Sequence, residues 1–143
     1  MSEQFKYEKK YWYPHLKPAD IAIWERFIEK YPNVYETVAY DVAVGEGAPI
    51  PAGTEKNLAR DFKILTQWKI DVVGFNKNQI DVIEIKPNAG LNALGQVLGY
   101  VALFKKTFPD TRNVLAVIIT NNLRPDMLKL AEGMGVKLYK VDV

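Results

Sequence analysis

Asp71, Glu84 and Lys86 are the residues whose types and spacing suggest chemistry. They lie on two apolar runs, Lys69 to Phe75 and Ile80 to Lys86, separated by Asn76-Lys77-Asn78-Gln79, a pattern that predicts a β-hairpin. A turn about Lys77-Asn78, with Asn78 supplying a positive φ, sets Phe75 opposite Ile80, Val73 opposite Val82 and Asp71 opposite Glu84. Directly opposed residues have Cβ atoms about 4.5–5.5 Å apart, so the two carboxylates point the same way from one face, and Lys86 shares that face. Like charges so placed destabilise a sheet unless something binds them. A hard divalent cation, Mg²⁺ or Mn²⁺, is the natural partner, since such ions take one or two carboxylates and fill their shell with water and phosphate oxygens. Lys86 could orient or help deprotonate a water beside the ion, which outlines a site for phosphodiester hydrolysis.

Other chemistries are excluded by composition. The 143 residues contain no cysteine, which removes disulfides, thiolate metal sites and cysteine nucleophiles. One histidine, His15, in the N-terminal segment reads as a surface residue rather than a catalyst. Gly45-Glu46-Gly47 lacks the Gly-Lys-Ser/Thr continuation of a phosphate cradle, so a nucleotide-binding α/β protein ranks last among the readings. Hydrophobic residues at 48% and charged residues at 25% fit an ordinary globular chain, and a net charge of +2 permits a nucleic-acid partner without arguing for one. MSEQFKYEKK has no apolar core of signal-peptide length, and the run Val114 to Ile119 is too short to span a bilayer. The expectation is therefore a cytoplasmic protein with no membrane partner.

The elements that must position the three residues can be read from pattern. Pro18 to Tyr31 places Ile21, Trp24, Phe27, Ile28 and Tyr31 at helical spacing, and Val34 to Val44 reads as a strand that enters a Gly/Pro-rich excursion, Gly45 to Gly53. Asn57 to Gln67 fits a short helix or a strand. After the hairpin, Leu91 to Thr107 is a helix apolar on more than one side, and Val114 to Thr120 a strand covered on both faces. Pro125 to Glu132 is a short helix, and Val136 to Val143 a closing strand. Together they predict one α/β domain over 1–143, a mixed central sheet with flanking helices, with 1–17 as an N-terminal arm.

Ile70-Asp71, then Glu84-Ile85-Lys86 on the next strand, resembles the PD-(D/E)xK nuclease superfamily, whose restriction-endonuclease-like core has the order αβββαβ, here followed by a further αβ unit. Gln96-x-x-x-Tyr100 on the helix after the hairpin resembles the Q-x-x-x-Y motif of the RecB-like and Cas4-like branch, and i, i+4 spacing projects both side chains from one face. The resemblance implies that Asp71, Glu84 and the Ile85 backbone carbonyl ligate Mg²⁺ or Mn²⁺ and that Lys86 serves the attacking water. It further implies that Gln96 and Tyr100 support the site and that a first-helix glutamate contributes. Glu25 is the best match for that glutamate, with Glu29 one turn later the other choice. Two departures stand out: Ile70 occupies the position of the family's proline, and a cysteine-ligated iron–sulfur cluster is impossible. Asp81, on the opposite face among Ile83 and Ile85, reads as structural.

The implied function is a metal-dependent deoxyribonuclease of DNA processing, repair or recombination, in a phage or bacterial setting, whether endonuclease or exonuclease. RNA stays open as a substrate. The alternative is a non-catalytic nucleic-acid-binding or assembly module that keeps the nuclease fold. Arg60, Lys63 and Lys69, on the approach to the hairpin, are the candidate nucleic-acid-binding residues. The segment Phe5 to Lys17 interleaves aromatic residues with lysines, which suits single-stranded nucleic acid or, more often, a strap onto the domain itself. Small size favours a homodimer or a larger complex.

Overall fold

A computed structural model of the chain describes residues 3–143. The elements run β1 (Gln4–Lys6), α1 (Pro18–Lys30), β2 (Thr37–Val44), α2 (Lys56–Thr66), β3 (Trp68–Phe75), β4 (Gln79–Ile85), α3 (Leu91–Thr107), β5 (Asn113–Thr120), α4 (Pro125–Gly133) and β6 (Val136–Lys140). All six strands join one sheet in sequence order. β1 to β4 pair antiparallel, whereas β4–β5 and β5–β6 are parallel, so α3 and α4 serve as the crossovers that parallel neighbours need. This is the mixed α/β architecture expected, with β1 added before the αβββαβ order, α2 inserted between its first two strands, and the further αβ unit after it.

Each face of the sheet has its own core. On one face α1 buries Ile23, Trp24, Phe27 and Ile28 against Val38, Tyr40, Val72, Ile83, Val117 and Ile119. On the other, α3 and α4 bring Leu94, Val97, Phe104, Met127 and Ala131 against Ala39, Val73, Val82, Ala116 and Ile118. β4, in the middle, is buried from Ile80 to Ile85. No helix among the described residues is long and apolar enough to cross a membrane.

The hairpin has the register expected from the sequence, with Phe75 opposite Ile80, Val73 opposite Val82 and Val72 opposite Ile83. Its turn differs from expectation. Asn76 N–H donates to Gln79 O at 2.9 Å, and Asn78 is not among the positive-φ residues, so the turn does not rely on a left-handed asparagine. Asn57 to Gln67 resolves as helix: Glu55 caps it by accepting from the N–H groups of Asn57 and Leu58. The helix buries no side chain. Its C-terminal end is held by polar contacts instead, with Ala48 N–H donating to Thr66 Oγ1 at 2.8 Å and Gln67 Nε2 to Gly45 O at 2.7 Å.

The N-terminal segment is strapped to its own domain. β1 pairs with β2, and Tyr7 and Tyr13 are buried in the α1 core, leaving Tyr11 and Trp12 exposed.

Candidate active site

The pairing between β3 and β4 stops at Val72–Ile83, one residue short of Asp71. At that point Ile85 N–H donates to Asp71 Oδ2 at 3.0 Å, so a side chain replaces the backbone as its acceptor. The β2–β3 ladder breaks at the same level: Tyr40 pairs with Val72 and Val42 with Ile70, but Asp41, between them, carries a φ of +53°. The side-chain alternation slips there, since Ala39 and Val42 share one core, as do Ile70 and Val73. The sheet is thus opened locally at Asp71, and β-branched neighbours on both sides hold the opening rigid.

Glu84 projects from β4 beside Asp71 and is 7% exposed. Burial is the main force on both carboxyls, raising Asp71 to about 6 and Glu84 to about 8. For Asp71, the Ile85 N–H opposes burial, and the charge of Asp20 reinforces it. For Glu84, the neighbouring Asp71 charge adds to burial, while Lys86 pulls the other way. The two groups are close enough for each to shift the other. At neutral pH they therefore share a proton, as closely placed carboxyls do when both cannot be charged.

Around this pair the structure gathers some of the expected residues. Tyr100, on α3, is half-buried, and its hydroxyl is pushed up by burial, then by Glu84 and Asp71, so it faces the pair. Gln96 lies one turn earlier on the same helical face and is exposed. Lys86 follows directly after β4, is exposed, and acts on both Glu84 and Asp20. Ile85 is buried between Glu84 and Lys86.

Glu25 is placed otherwise. It accepts a hydrogen bond from Tyr13 Oη at 2.8 Å, in the aromatic packing under the N-terminal segment. The α1 acid that acts on both Asp71 and Glu84 is Asp20, in the first helical turn, itself raised chiefly by burial. Sequence pattern passed over Asp20 because a first-turn acid is common as a helix-dipole partner. Glu29 is exposed and pairs with Lys9 and Arg26. His15, also at positive φ, approaches Asp41 with Nε2–Oδ2 of 3.3 Å, and Asp41 in turn acts on Asp71.

Of the basic candidates, Arg60 and Lys63 are exposed on α2. Lys69 is engaged elsewhere: Nζ donates to Ile64 O at 2.7 Å and Gln67 O at 3.1 Å, closing the C-terminal end of α2. Asp81, on the α1 face, accepts from Tyr35 Oη at 2.7 Å and Gln79 Nε2 at 2.8 Å, a satisfied structural pair as expected.

Among the described residues no three acidic, histidine or cysteine side chains converge as a ready metal cage. The donor set is instead two adjacent carboxyls short of positive charge, which suits a hard cation that keeps most of its shell as solvent or phosphate oxygen.

No protein-family model matches this chain, and no curated protein matches it. Solved structures do. A repair endonuclease from Pyrococcus abyssi is similar at 24% identity, over 90% of this chain and 48% of that one, with a TM-score of 0.49. The protein of unknown function AF1548 is similar at 17% identity, over 79% of this chain and 54% of that one, with a TM-score of 0.51, and shares the fold. Protein VC1899 from Vibrio cholerae is similar at 13% identity, over 85% and 30%, with a TM-score of 0.46. The chain spans about half the length of these proteins or less.

Proposed function

We propose that this chain is a nuclease domain of the PD-(D/E)xK type, nearest the branch with the Q-x-x-x-Y motif, and that it hydrolyses DNA phosphodiester bonds with Mg²⁺ or Mn²⁺. One observation carries the reading: Asp71, half-buried, and Glu84, buried, lie side by side where regular β3–β4 pairing ends and Ile85 N–H turns to the Asp71 carboxylate. A purely structural site has little reason to hold two such acids together, since keeping ionisable groups out of water costs stability.

In this reading Asp71, Glu84 and the Ile85 carbonyl hold the ion, and binding displaces the shared proton. The bound ion would lower the pKa of a water and neutralise charge on the attacked phosphate. Lys86, exposed at the strand end, would orient the water and hydrogen-bond a phosphate oxygen. Tyr100 and Gln96, on one face of α3, would position the carboxyls and the strand. Asp20 adds negative potential from the α1 side.

The test is cleavage of labelled linear, circular, flapped and four-way-junction DNAs, with single-stranded RNA alongside, in Mn²⁺, Mg²⁺ or EDTA. Metal-dependent cutting that disappears in Lys86→Ala is the expected result. Absence of cutting on every substrate, with DNA binding equal in both proteins and unaffected by EDTA, would replace this reading with a non-catalytic binding module.

A further inference from the structure

A cleft of about 570 Å³ is lined by Gly45, Lys63, Trp68, Leu103 and Lys106, with Glu46 as the acid among its lining residues. Two elements, β3 and α3, link it to the carboxylate pair. Trp68 precedes Asp71 by three residues on β3, about 10 Å along the strand. Leu103 and Lys106 follow Tyr100 on α3 by one and two turns. Trp68 pairs with Val44, whose side chain belongs to the α3 core, so the indole stands on the same face as Glu84.

The Trp68 side chain is 64% exposed although it belongs to a strand of a well-packed sheet, and Gly45, at φ +85°, puts no side chain against it. Above it, α2 contributes no buried residue. Instead Lys56, Arg60 and Lys63 recur at i, i+4 and i+7, one exposed basic face that descends into the cleft and meets Lys106 on the other wall. An exposed aromatic face flanked by cations in one cleft suits an unpaired strand: the base stacks, and the phosphates are neutralised. A continuous duplex keeps its bases stacked inside and would leave the indole unused.

We infer that this cleft is a subsite for single-stranded DNA next to the scissile phosphate, with Trp68 stacking a base and Lys63 and Lys106 holding its flanking phosphates. The inference rests on the nuclease reading for the identity of its neighbour. It makes the substrate class DNA with an unpaired segment, such as a flap, overhang or splayed end, rather than an uninterrupted duplex.

Tryptophan fluorescence tests it directly, in EDTA so that no cleavage occurs. In a Trp12→Leu background the remaining indoles are Trp24, fully buried, and Trp68. Titration with an oligothymidylate should quench the signal, and Trp68→Leu should abolish the quenching and weaken binding about tenfold. Lys63→Ala with Lys106→Ala should reduce the slope of log affinity against log salt by about 1.4. In Mn²⁺, the Trp68→Leu protein should lose cleavage of flapped DNA more than tenfold relative to its cleavage of blunt duplex. Unchanged quenching in Trp68→Leu, tighter binding of blunt duplex than of single strands, or concentration-dependent self-association that buries Trp68 would each overturn the inference. The two readings separate. Quenching without any cutting sinks the nuclease and leaves the subsite standing, whereas cutting unaffected by Trp68→Leu sinks the subsite and leaves the nuclease.

Discussion

Ile85 N–H hydrogen-bonds the Asp71 carboxylate at 3.0 Å, where regular pairing between β3 and β4 would have given it a backbone acceptor. This single contact joins the fold to the proposed chemistry. It ties the Asp71 side chain to β4 and keeps Ile85 N–H satisfied at the end of a buried strand. Rigid strands position such groups better than loops do.

Asp71→Asn and Asp71→Ala should therefore behave differently. Asparagine keeps an oxygen for Ile85 N–H and removes an ionisable group whose charge burial disfavours, so in EDTA its stability should equal or exceed wild type. Alanine leaves a buried N–H without its acceptor and should cost about 1–3 kcal/mol. Both should lose cleavage. Urea denaturation of the three proteins in EDTA distinguishes them, and equal destabilisation by both substitutions would mean that the charge itself is structural.

The shared proton gives a pH dependence with a definite sign. Folding raises both carboxyls, Asp71 to about 6 and Glu84 to about 8, chiefly through burial. Between their unfolded values, near pH 4, and these folded values, the native chain binds more protons than the unfolded chain. The pair's contribution to stability is thus greatest below about pH 4 and falls as pH rises toward about 8. Glu84→Gln should remove most of this fall, and Mg²⁺ should flatten it in wild type by taking the proton's place. The measurement is melting temperature against pH, as the difference between wild type and Glu84→Gln, with EDTA or Mg²⁺. A difference that does not change with pH would count against the shared proton.

On the other face of the same strand, Asp81 should matter for folding alone. Tyr35 Oη donates to it within the α1 core, and Gly74, its neighbour across the hairpin, has no room for a side chain: an added Cβ would lie 2.5 Å from the Tyr35 ring. Tyr35→Phe should cost about 1–3 kcal/mol by depriving a buried carboxylate of one donor. Gly74→Ala should cost at least as much by displacing the ring. Neither should change cleavage per folded molecule, measured as kcat with the folded fraction set by circular dichroism. A tenfold loss of kcat in Tyr35→Phe would show that the two faces are coupled.

The hairpin was legible in the sequence because two apolar runs with a short polar connection admit few registers. Once Val73 was set opposite Val82, the sides taken by Glu84 and Asp81 followed from alternation. Alternation failed where the backbone departs from it. The left-handed Asp41 leaves no signature in a run of Val, Ala and Tyr, and neither does the slip that puts Ala39 and Val42 on one face. α2 was ambiguous because its apolar residues, Leu58, Phe62 and Leu65, are not buried, and part of what fixes it, Thr66 to Ala48 and Gln67 to Gly45, is polar and distant in sequence. β1 was missed because three residues with exposed side chains at both ends show no strand period.

The first helix supplies the remaining test, because pattern and structure point to different acids. Glu25 fits the spacing of a family motif but is bound by Tyr13, whereas Asp20 acts on both Asp71 and Glu84. Asp20→Asn removes a negative charge from the neighbourhood of the pair. Mn²⁺ affinity should then fall severalfold, on the order of 1 kcal/mol for a charge of this kind near a partly solvated site. Glu25→Gln keeps an acceptor for Tyr13 Oη and should leave Mn²⁺ affinity within a factor of two, on the order of a few tenths of a kcal/mol. Calorimetric titration of both proteins with Mn²⁺ checks this without relying on cleavage. If Glu25→Gln weakened the ion while Asp20→Asn did not, the helix would have to shift on binding to bring Glu25 round. The motif match would then be the better guide to the loaded site than the geometry of the free one.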